Sequence, residues 1–139
     1  MLLITLSCNS SAQMTEKSGE NEITYISYRR TAGRGGSENI IATKDSLIAT
    51  AAGRMADNSP IFNRKMNPAD WKKLVSMINV ETLKKTVRGE GRGHYDGPDE
   101  FYEIKTANQT YSLVNVQDSA KAKQLNQVKI FLKKLAVAK

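Results

Sequence analysis

The chain has 139 residues, 40% of them apolar, enough for one core and one domain once a leader is set aside. Its 21 lysines and arginines outnumber 14 aspartates and glutamates, a formal net charge of +7 that suits anionic partners. A single cysteine excludes an internal disulfide, and no apolar run reaches the about 18 residues that a spanning helix needs.

Residues 1–12 read as a clipped secretion signal. Leu2, Leu3, Ile4 and Leu6 form a short apolar core, and no Lys or Arg precedes it, which implies a start upstream of Met1. The core ends in Leu6-Ser7-Cys8, a sequence that resembles a lipobox, with Thr5 where an aliphatic residue is usual. On that reading Cys8 is the lipidation site, and several acyl chains on one residue anchor firmly. A rival exit lies at Ser10-Ser11-Ala12, whose small residues suit ordinary signal cleavage and a soluble secreted product. Residues 13–21 are polar and read as a flexible tether, leaving residues 22–139 as a single domain.

Within that domain residues 22–31 carry Ile23, Tyr25, Ile26 and Tyr28 and predict a strand. Ala32-Gly33-Arg34-Gly35-Gly36 breaks it, because three glycines in four positions suit positive φ. Residues 37–43 should pair back as a second strand, Lys44-Asp45-Ser46 turns, and residues 47–52 give a third. Residues 53–64 read as a loop in which Ile61 and Phe62 form at most a short edge strand. A helix then starts at an Asn67 N-cap, with Pro68 at its first position, Asp70 in its first turn, and Met66 and Trp71 as a hydrophobic staple. Trp71, Leu74, Val75 and Ile78 recur on one face, and residues 81–86 either extend this helix or form a second turn anchored by Leu83.

Residues 88–98 are a loop with four glycines. Tyr102 and Ile104 alternate with Glu103 and Lys105, Asn108 turns the chain, and residues 111–116 return as the partner strand. Asp118 or Ser119 caps a last helix whose stripe is Leu125, Val128, Phe131, Leu132 and Leu135, with Lys121, Lys123, Lys129, Lys133 and Lys134 expected in water. The order β-β-β-α-β-β-α predicts an α+β fold: an antiparallel sheet of four to five strands with two helices packed on one face.

No catalytic constellation emerges. The one histidine, His94, stands near Asp96, Asp99 and Glu100, but their spacing matches no metal loop, and Asp96-Gly97-Pro98-Asp99 reads as a turn into a strand. There is no nucleophile elbow and no phosphate loop, and Glu38, Asp45, Asp57 and Glu103 are scattered. The expectation is therefore a non-enzyme with no cofactor and no metal. Candidate binding residues cluster in two places: Arg29, Arg30 and Arg34 around the glycine turn, and Arg88, Arg92, His94 and Tyr95 in the long loop. Arginine and tyrosine are favoured interface anchors.

With these elements placed, the chain resembles the small lipoprotein-type α+β domains of Bacteroidetes. It is also similar to emfourins, small protein inhibitors of metalloproteases, in which a first strand leads into a glycine turn, an acidic-led strand with Tyr lies mid-chain and a helix closes. The counterparts here are Arg30-Thr31-Ala32-Gly33 and Asp99-Glu100-Phe101-Tyr102, and no inhibitory residue carries over. The resemblance implies a lipid-anchored envelope domain, facing the periplasm from the outer membrane, that binds a protein partner and inhibits a protease. The alternative is a basic module for an anionic polymer or lipid head group. A secretory address argues against nucleic acid.

Overall fold

The structure is a computed structural model that describes residues 21–84, 98–116 and 119–137. Strands β1 (Ile23–Thr31), β2 (Ser37–Thr43), β3 (Ser46–Ala52) and β4 (Phe62–Lys65) are followed by helices α1 (Pro68–Ser76) and α2 (Val80–Lys84). Strands β5 (Asp99–Thr106) and β6 (Thr110–Val114) and helix α3 (Ser119–Val137) complete the order. The strands form one antiparallel sheet in the order β4-β3-β2-β1-β5-β6.

The α+β fold with an antiparallel sheet is as the sequence predicts, but the described residues form six strands and three α-helices rather than four to five and two. The sixth strand, β4, is the short edge strand expected at Ile61 and Phe62, running from Phe62 to Lys65 in a stretch too polar to show an apolar alternation. The extra helix arises because the chain breaks at Met77–Asn79. Asn79 Oδ1 then accepts from Thr82 N at 3.2 Å and starts a new turn, while Asn79 N donates to Gln124 Oε1 at 3.1 Å and ties that turn to α3.

Alternation along the strands sorts the sheet into two faces. Ile26 and Tyr28, Ile40 and Ala42, Leu47, Tyr102 and Ile104, and Tyr111 and Leu113 all point to the helix side. There they meet Leu74, Ile78 and Leu83 and the stripe Leu125, Val128, Phe131, Leu132 and Leu135 in one buried cluster. Helix α1 starts as its sequence demands: Asn67 Oδ1 accepts from Ala69 N at 2.8 Å and Asp70 N at 3.4 Å, with Met66 buried and Trp71 packed against the core.

The glycine turn closes on itself through Gly35 N to Ala32 O at 2.8 Å, Gly36 N to Gly33 O at 3.1 Å and Ala32 N to Gly36 O at 2.9 Å. Gly36 lies at φ +97° against the start of the next turn, Gly53 at φ +66°, so two glycine backbones pack back to back at this corner of the sheet.

Of the helix lysines expected in water, Lys129 is half-buried instead, and Lys133 is exposed as expected but ion-paired. Lys129 Nζ lies 3.1 Å from Glu100 Oε1, and Lys133 Nζ lies 3.1 Å from Glu38 Oε1. They stand one turn apart beside the apolar stripe, and their long stems reach over the core margin to the two carboxylates at the sheet's polar end. Lys123 and Lys134 are exposed as expected.

Candidate functional site

Two concavities mark the described surface. The larger, about 620 Å³, lies between α3 and the β5–β6 pair and is lined by Pro98, Glu100, Tyr102, Asn115, Val116, Lys123, Asn126 and Lys129. Asn115 builds its rim. Its backbone is left-handed at φ 45°, which asparagine tolerates, and its N–H donates to Glu100 O at 2.9 Å. Its side chain accepts from Glu100 N and donates to Asp99 Oδ1, both at 2.8 Å, so the end of β6 clamps the start of β5.

The carboxylate at the centre of this cleft is already occupied. Glu100 accepts from Tyr28 Oη at 3.0 Å and from Lys129 Nζ at 3.1 and 3.3 Å. Glu38 and Glu100 flank Arg30 in register across three strands, and Glu38 Oε2 accepts from Ser59 Oγ at 3.1 Å. Glu38 Oε1 faces the Lys133 ammonium without an aligned hydrogen bond. This is a band of compensated charges that pins α3 to the sheet. A carboxylate so engaged has little freedom to serve as a base.

Burial, reinforced by the negative charge of Glu100, pushes the phenols of Tyr28 and Tyr102 well above their ordinary value of 10.0. A phenol whose pKa is raised on folding favours the folded state fully below the unfolded pKa, and that contribution changes only as pH rises above it. The sign is one of loss: above about pH 10 the unfolded chain gains by ionising these two groups and the fold does not. The double variant Tyr28→Phe/Tyr102→Phe should therefore show the same native phenolate absorbance at about pH 11 as the parent chain. A smaller signal in the variant would mean that the two hydroxyls ionise in the fold.

The second concavity, about 400 Å³, lies on the opposite face of the sheet, among Tyr25, Arg29, Asn39, Phe101, Glu103, Ser112 and Val114. The Arg29 guanidinium sits 5.8 Å from the Phe101 ring centre, and Lys105 Nζ sits 4.6 Å from that of Tyr25. Lys105 also pairs with Glu103 at 3.2 Å. Ile41 and Ile48 continue the face, half-buried, and Ser27 and Thr31 are buried beneath their larger neighbours. The buried side chains of the described helices all join the core on the other side, so none of them roofs this face.

The arginines predicted around the glycine turn do not converge. Arg29 is on the open face, Arg30 is on the helix face between Glu38 and Glu100, and Arg34 is exposed in the turn at the sheet's end. Consecutive residues of a strand point to opposite sides, which separates the first two. Arg88, Arg92, His94, Tyr95 and Cys8 lie outside the described residues. Among the described residues no three His, Cys, Asp or Glu side chains stand together as a metal site. Sequence reasoning missed the juxtaposition of Arg29 with Phe101 and of Tyr25 with Lys105. Tyr25 and Arg29 share a parity in β1, and Phe101 and Lys105 share one in β5, but only the pairing of β1 with β5 puts the two sets on one face. Comparison of the chain with protein-family models and with curated proteins finds no match.

Proposed function

We propose that this chain is a non-enzymatic domain of the cell envelope, held by a lipid on Cys8, that binds a protein partner through the open face of its sheet. The observation that carries the reading is that face, which no described helix covers and where Arg29 lies over Phe101 and Lys105 over Tyr25. Such aromatic and arginine groups are the residue types that dominate protein–protein affinity. The depression is shallow and continuous with Ile41 and Ile48, a shape suited to another protein surface. The lipid anchor rests on Leu6-Ser7-Cys8, and the resemblance to emfourins supports a secreted metalloprotease as the partner and inhibition as the outcome. The alternative, an anionic polymer or head group, rests on the net charge of +7. It is weakened because Lys129 and Lys133 are committed to Glu100 and Glu38.

Capture of envelope and secreted proteins by the full chain tests the reading. The double variant Arg29→Ala/Phe101→Ala should reduce partner affinity at least about tenfold, the equivalent of losing one interface anchor. Retention that ignores this variant but disappears with moderate salt would instead favour the anionic ligand.

A further inference from the structure

The sheet has two edges, and they are built differently. The β4 edge is four residues long, carries Arg64 and Lys65 and lies between Pro60 and Pro68; Arg64 Nη2 donates to the Leu135 carbonyl of α3. Charge, shortness and neighbouring proline are the usual guards against pairing with a foreign strand. The β6 edge, Thr-Tyr-Ser-Leu-Val, is only one residue longer but carries no charge and no proline, and keeps an unbroken register with β5 from Lys105↔Thr110 to Phe101↔Val114.

The hydrogen-bond phase of that edge follows from the pairing. Thr106 N donates to Gln109 O at 2.8 Å and Asn115 N donates to Glu100 O at 2.9 Å, so Thr106/Gln109 and Glu100/Asn115 are hydrogen-bonded pairs. In an antiparallel ladder such pairs alternate with non-hydrogen-bonded ones. Tyr111 and Leu113 therefore spend their backbone groups on β5, whereas Thr110, Ser112 and Val114 turn theirs outward. Three N–H and three C=O groups at alternate residues face away from the sheet, with no partner strand among the described residues.

We propose that β6 takes up an extended segment of the protein partner as a seventh strand. The inference rests on the protein-binding reading and supplies its mode. Side chains of the added strand would alternate between the open face, beside Ser112 and Val114, and the core side, where Val116 lines the cleft next to the end of β6. A second copy of this chain is the poorer occupant, since each copy brings a net charge of +7 to the contact; an extended segment of net acidic character is the complementary one.

Amide exchange read residue by residue tests this on the full chain. In the free protein Tyr111 and Leu113 should exchange slowly and Thr110, Ser112 and Val114 fast. Slow exchange at Ser112 and Val114 in the free protein would mean the edge is already filled and would overturn the proposal. The probe is a fluorescent peptide of alternating Val and Glu or Thr, with an analogue N-methylated at every residue, which leaves neither of its edges able to donate. The parent peptide should protect Thr110, Ser112 and Val114, and the N-methylated one should not. Ser112→Pro removes an outward N–H and leaves the bonds to β5 intact, as edge proline allows. It should weaken peptide binding at least about tenfold. Ser112→Lys, which keeps the N–H but guards the edge, should do the same if the proline variant fails to fold. Equal binding by folded Ser112→Pro, or by the N-methylated peptide, overturns the mode, as does an edge-dependent dimer in sedimentation. Partner capture lost in Arg29→Ala/Phe101→Ala but intact in Ser112→Pro would reject the β6 mode and keep the protein-binding reading; capture intact in both rejects the two together.

Discussion

Gly36→Ala should destabilise the fold by at least about 3 kcal/mol, the upper range for a single strained backbone position, because crowding adds to strain here. Gly36 sits at φ +97°, ψ −152°, a region open essentially to glycine alone. A Cβ built on it would lie 2.0 Å from the Ala52 carbonyl oxygen and 2.9 Å from Gly53 Cα. Both contacts are backbone, so relief requires the end of β3 to leave β2 at the Ser37↔Ala52 pair. Gly33 supplies the control. It also has positive φ, +51°, but nothing lies within 4 Å of its added Cβ. Gly33→Ala should cost only about 1 kcal/mol, the left-handed penalty by itself. Urea unfolding followed by circular dichroism separates the two, and equal losses would show that the back-to-back packing of Gly36 on Gly53 contributes nothing.

Leu132→Ala should cost about 3 kcal/mol and lower Tm by about 10 °C or more, whereas Ile130→Ala should stay within about 0.5 kcal/mol of the parent. The two residues are neighbours on α3 but point to opposite sides of it: Leu132 is fully buried, and Ile130 is 57% exposed. Truncating Leu132 removes methyl groups from the centre of the helix–sheet contact and leaves a cavity its neighbours cannot close. Ile130 loses little packing, and alanine is the better helix former. Comparable losses in thermal unfolding would place α3 with a different face against the sheet.

Much of this was readable in the chain. The Asn67-Pro68 start, the stripe Leu125 to Leu135, the strand over residues 37–43 and the positive-φ glycines all come from local rules about caps, periodicity and steric freedom. Each depends on residues within a few positions of one another. The failures have a common cause. Lys129 looks like a solvated lysine because the carboxylate it meets lies 29 residues away in β5. Arg29 and Arg30 look like one patch because sequence adjacency hides the two-sidedness of a strand.

Local rules set most of the conformations: the main strands and helices, where the chain must turn, and which side chains seek the core. These follow from backbone sterics and from the spacing of apolar residues. That the first strand lies at the centre of the sheet, with β2 on one side and the distant β5 on the other, is visible only in the assembled fold. That non-local pairing sets Phe101 opposite Arg29 and Lys105 opposite Tyr25, and it puts Glu38 and Glu100 on either side of Arg30. It also leaves β6 as an edge whose outward backbone groups meet no partner strand among the described residues. The physical reason is that pairing across a long connection is won by the burial of the whole helix face at once, and no short stretch of residues encodes that sum.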